Sequence, residues 1–122
     1  MTRPFQACGT QNTLSEAEFQ YCHDYFERLF RGNFFKCLND DTRQKIILLV
    51  GRCGEDGMRV GDIAELFNLD RTTISHHLAM LRDNNLLRAT KRGKERYYSM
   101  NVEYVIGTLE EMVNILKSCC QE

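Results

Sequence analysis

The stretch from Asp62 to Leu87 constrains this chain more than any other. Asp62-Ile63-Ala64-Glu65 has the form of a capping box, in which the Asp carboxylate accepts from a first-turn amide and the Glu reaches back. Ile63, Ala64, Leu66 and Phe67 give this helix an apolar side, and Asn68 suits the left-handed residue that ends it. Asp70 offers a second N-cap, with Leu69 before it and Ile74 four positions beyond, the spacing of a hydrophobic staple. Two short helices on a tight turn predict a helix-turn-helix.

The second helix has two unlike faces. Ile74, Leu78 and Leu81 recur at helical spacing and are expected to be buried. Arg71, Thr72, Ser75 and His76 fall on the other side as i, i+4 pairs. Hydroxyls, an imidazole and a guanidinium can bond base edges and phosphates, although the same residues also suit a plain solvent-facing side. The segment beyond the helix favours DNA. Asn84-Asn85 ends the helix, and Leu87 to Met100 alternates and turns like a hairpin. The tip, Lys91-Arg92-Gly93-Lys94, places Gly where positive φ is wanted and surrounds it with cations. Arg88 and Arg96 sit on the arms, and Tyr97 and Tyr98 supply β-propensity. Between Asp70 and Met100 seven Lys or Arg face three acids, a local balance of +4 in a chain of net charge −1. One basic segment in a chain without global basicity predicts DNA binding through that segment.

SHHLAMLRDNNLL followed by KRGKERYYSM resembles the ArsR/SmtB family of small dimeric bacterial repressors, over roughly Phe34 to the C-terminus. The resemblance implies a mainly α fold with a small β-hairpin, a winged helix-turn-helix that dimerises through its first and last helices. Its partners would be a second copy and a palindromic double-stranded operator. Arg71, Thr72, Ser75 and His76 would then read the major groove, and Lys91, Arg92 and Lys94 would touch backbone or minor groove.

At 122 residues and 43% hydrophobic content, a single domain over residues 14–122 is expected, after a mobile tail at 1–13 that contains Cys8. Met1 to Thr10 lacks an apolar run and no stretch of eighteen apolar residues exists, so the expected location is the cytoplasm, without membrane. There the six Cys are expected to be reduced thiols, and they lack Cys-x-x-Cys spacing. Leu14, Cys22, Tyr25, Phe26, Leu29 and Phe30 predict a helix over Leu14 to Phe30, capped by Ser15 or Thr13. Phe34 to Leu38 and Asn39 to Arg43 resemble the family's second helix and the start of its third. Cys37 is expected as a small buried hydrophobe and Cys53 as partly exposed.

Many family members place a Cys-x-Cys metalloid site just before the residue matching Asp62, where this chain has Arg59 and Gly61. Zinc-sensing members use carboxylates and imidazoles on the last helix, where the matching residues are Val102, Tyr104, Ile115 and Ser118. Neither metal site is therefore expected, and zinc is not an expected cofactor. The last helix is predicted over Val102 to Cys120, with Val102, Val105, Ile106, Leu109, Met112, Val113 and Leu116 as an apolar stripe. Such a stripe suits core packing or a dimer seam, and the resemblance implies the seam.

Cys119-Cys120 at its end could chelate trivalent arsenic or form disulfide or polysulfide bridges, with Cys22 or Cys8 as further sulfurs. Some members of the resembled family use C-terminal or vicinal cysteines for trivalent arsenicals, and others use cysteine pairs as persulfide or oxidant sensors. The negative end of the helix disfavours thiolate, and an incidental frayed tail is the alternative reading. His23 is expected near the surface, and His77 in local packing or phosphate contact. No Ser-His-Asp, phosphate-loop or paired-carboxylate arrangement is present, which argues against an enzyme. The expected function is a dimeric repressor released by a thiol-reactive inducer: a trivalent arsenical, persulfide or oxidant. The competing reading is a winged-helix interaction or architectural module without a ligand.

Overall fold

Ser15 begins the first helix of the computed structural model, which describes residues 15–119. Its hydroxyl accepts from the Glu18 N–H at 3.1 Å, and the Glu18 carboxylate accepts from the Ser15 N–H at 2.9 Å, a complete capping box. The helices are α1 (Glu16–Arg31), α2 (Phe34–Leu38), α3 (Asp41–Arg52), α4 (Val60–Phe67), α5 (Arg71–Asp83) and α6 (Val102–Cys119). Strands β1 (Met58–Arg59), β2 (Leu87–Arg92) and β3 (Glu95–Met100) form one antiparallel sheet in the order β1-β3-β2. The expected tail at 1–13, with Cys8, and Cys120 lie outside the described residues.

Both helices of the helix-turn-helix end alike. At the end of α4, Asn68 takes φ 55° and the Leu69 N–H reaches the Ala64 carbonyl at 3.3 Å. At the end of α5, Asn85 takes φ 70° and the Leu86 N–H reaches the Leu81 carbonyl at 2.9 Å. These i→i−5 bonds across a left-handed residue are Schellman closures built on Asn in place of Gly. Asp70 caps α5 as expected, its carboxylate accepting from the Thr73 N–H at 2.7 Å.

The start of α4 differs from expectation. The helix begins at Val60, three residues early, and Asp62 is no cap: its carboxylate instead accepts from Arg59 at 3.1 and 3.2 Å. Met58-Arg59 pairs with Tyr98 and Tyr97, so the expected two-stranded hairpin is a three-stranded sheet. Gly57, at φ 71°, makes that pairing possible. A Cβ there would sit 2.3 Å from the Tyr98 carbonyl oxygen.

The core lies where α3, α4, α5 and the root of the sheet meet. Ile46, Val50, Ile63, Ile74, Leu78, Leu81 and Leu86 are all fully buried there. Cys37 joins them at 0% exposure, as expected, and Cys53 is exposed. Leu66, expected on the apolar side of α4, is 64% exposed, because Ile63, Ala64 and Phe67 already turn that helix to the core. The Tyr25 hydroxyl donates to the Thr108 carbonyl at 3.2 Å, which ties α1 to α6. No helix among the described residues is long and apolar enough to cross a membrane.

Candidate nucleic-acid interface

Helix α5 is anchored on one side and open on the other. Ile74, Leu78 and Leu81 lock it into the core, and Arg71, Thr72, Ser75 and His76 are all exposed on the opposite side. Anchoring fixes the backbone from which the polar groups project, so little ordering remains when they meet a ligand. The Thr73 backbone N–H, and then its hydroxyl, hold the Asp70 carboxyl below its usual range. The Arg71 guanidinium lies against the backbone of Gly61, 3.8 Å from where a Cβ would stand.

The wing turns within the expected tip, at the two residues Gly93-Lys94. Arg92 pairs with Glu95, and Gly93 takes φ 62°. Lys91 and Lys94 are exposed at its tip. Arg92 is exposed too, but its guanidinium is held: Nη2 donates to the Asp56 carbonyl at 3.0 Å, and Cζ lies 4.4 Å from the Tyr97 ring centroid. Arg88 pairs with Glu103 of α6 at 2.9 Å, and Arg96 is exposed. Sequence reasoning does not single out Arg59 as a brace. It pairs with Asp62 at 3.1 Å and reaches Glu95 at 3.8 Å, linking the start of α4 to the wing. A long cation three residues from a cap-like Asp is the available signal, but the Glu95 partner depends on the third strand.

Of the four cysteines expected to sense an inducer, Cys22 and Cys119 fall within the described residues. Cys22 is the one buried residue of α1, and it shares the wall of a cavity of about 380 Å³ with Tyr21, Glu111, Ile115 and Ser118. Cys119, next to Ser118, is half-buried at the end of α6. Ile115, not assigned to the apolar stripe from the sequence, is buried, whereas Val102, Ile106, Leu109, Val113 and Leu116 stand between 36% and 51% exposed. Cys37 donates towards the Met80 carbonyl at 3.8 Å, and burial pushes its thiol up. Among the described residues His23, Asp24 and Glu27 bring ligand atoms within 4.8 Å of one another. That group is exposed, and Gln20 and Arg31 already engage its two carboxylates.

The model of the bacterial regulatory protein, arsR family, matches residues 40–89, the segment from the cap of α3 through α5 into β2. Transcriptional repressor SdpR of Bacillus subtilis is 38% identical over 85 residues, covering 70% of this chain and 91% of the repressor. The arsenical resistance operon repressor of Bacillus subtilis is 34% identical over 86 residues, covering 70% of this chain and 75% of that protein. The solution structure of a homodimeric winged helix-turn-helix DNA-binding domain from Mycobacterium bovis superposes with a TM-score of 0.56 at 23% identity, covering 92% of this chain and 94% of that one. The chain belongs to the ArsR family of bacterial regulatory proteins, winged helix-turn-helix transcriptional repressors that bind DNA.

Proposed function

We propose that this chain acts as a homodimer, reads a palindromic operator with α5, and leaves it when a thiophilic inducer reacts with its cysteines. The observation that carries the reading is the exposed face of Arg71, Thr72, Ser75 and His76 on a helix whose other face is fully buried. The basic wing tip of Lys91 and Lys94 supports it, with Arg92 as a braced third cation. The exposed stripe of α6 supports the dimer, since a second copy is what would cover it.

Cys22 and Cys119 stand on the two helices assigned to that seam, so an inducer that bridges sulfurs there acts on the relation between subunits and hence on half-site spacing. Cys120 and Cys8 complete the proposed set. Trivalent arsenic would take three thiolates, whereas a persulfide or oxidant needs two. The similarity to an arsenical resistance repressor favours the first. The test is operator binding by reduced protein, repeated with arsenite, persulfide, peroxide and zinc. At least one thiol reagent should release the operator, and zinc should not. Replacing Cys119 and Cys120 together by Ser should preserve binding and abolish release. If no thiol reagent releases the wild type, cysteine sensing is wrong.

A further inference from the structure

Arg43, in the first turn of α3, is bonded on three sides. Its Nε donates to the Cys37 carbonyl at 2.8 Å and its Nη2 to the Lys36 carbonyl at 3.3 Å, closing the end of α2. Its Nη1 lies 3.3 Å from Nδ1 of His77 on α5. The cap of α3, Asp40, accepts from the Arg43 N–H at 3.0 Å, which holds the Arg43 backbone in place beside His77. A guanidinium has five N–H donors and no acceptor. The contact with His77 therefore requires a lone pair on Nδ1, and in a neutral imidazole the proton then resides on Nε2.

The two ring nitrogens point in diverging directions, so this N–H is turned away from Arg43. His77 is half-buried on the flank of α5, between the buried side of Ile74 and Leu78 and the exposed side of Thr72 and His76. Among the described residues, no hydrogen-bond partner is seen for Nε2. A donor on the flank of a groove-reading helix lies beside the phosphates of the groove wall.

We propose that His77 donates its Nε2–H to a DNA backbone phosphate, and that Arg43 is the positioning residue that fixes the tautomer for it. The proposal rests on the operator-reading assignment of α5. It separates His77 from the wing lysines in kind, because a neutral donor strengthens binding without displacing a counterion.

The test combines imidazole nitrogen spectra of the labelled protein with binding to a duplex it selects from a random pool. In the free protein His77 should show an unprotonated Nδ1 and a protonated Nε2, and Arg43→Ala should mix the two tautomers. His77→Ala should weaken selected and random duplexes alike, on the order of tenfold for one bond to a charged group, with the salt slope unchanged. His77→Gln, whose amide oxygen can accept from Arg43 while its NH2 donates, should restore most of the loss, which a merely unfolded helix would not allow. A methylphosphonate at one position per half-site should weaken the wild type to the same degree and add nothing to His77→Ala. An Nδ1–H tautomer, or methylphosphonate losses that add in full to His77→Ala at every position, would overturn the proposal. Wild-type protein that prefers no duplex overturns the operator reading along with this one. Selective binding that survives His77→Ala at full strength overturns this one alone.

Discussion

Ser75 and His76 are exposed because Ile74 and Leu78 are not: in a helix of 3.6 residues per turn, the fully buried positions fix which neighbours face out. Replacing Ser75 or His76 by Ala should cost specific operator binding about 1–3 kcal/mol, the range for a lost base contact, and change random-duplex binding less. Competition titrations with the two duplexes measure the difference, and equal losses on both would reject base reading. The caps carry a pH signature. Hydrogen bonds from the Arg43 backbone lower the carboxyl of Asp40, and those from Thr73 lower that of Asp70. A folded carboxyl held below its unfolded value (~3.9) stabilises the fold above that pH, and the contribution is lost as pH falls through it toward the folded value. Thermal melts should therefore steepen in their pH dependence on the acid side, and Asp70→Asn, which still caps but does not titrate, should flatten it.

The elements that could be read from the sequence are those whose cause is local. The cap at Asp70, the left-handed Asn68 and the buried Ile74-Leu78-Leu81 side are each set by neighbours within a turn, and all three appear as expected. Strand β1 was illegible because two residues have no period; it exists through pairing with Tyr97 and Tyr98, about forty positions away, over a glycine that admits their backbone. The same distant pairing set the start of α4, since Asp62 is drawn to Arg59 and away from capping. It also alters the wing. Lys91 or Lys94 changed to Gln should lower the slope of log affinity against log salt by about 1. Arg92→Gln should in addition lower stability, because its guanidinium holds Asp56 and covers Tyr97. An unchanged slope for both lysines would place the tip away from DNA. The exposure of Arg71, Thr72, Ser75, His76, Lys91 and Lys94 was legible in the sequence, whereas the role of Arg59 and the engagement of Arg92 required the tertiary structure.

At the scale of the whole molecule, the exposed side of α6 is the surface that the proposed dimer would cover. Val102, Ile106, Leu109, Val113 and Leu116 keep between 36% and 51% of their surface, although each stands on a regular, well-anchored helix. A charge in that stripe has no partner, so Leu109→Asp should give monomers or unfolded chain in sedimentation velocity. The wild type should protect two operator half-sites separated by about one helical turn of ~10 bp or a multiple of it. A folded Leu109→Asp monomer that holds the full operator tightly would sink the dimer. On the proposed assembly, the stripe also makes gene dosage a control variable. When subunits are scarce relative to their pairing constant, the species that can span both half-sites grows as the square of the amount of chain made. Halving synthesis then removes three quarters of the repressing species, and the threshold for escape from repression is set by copy number before any inducer arrives.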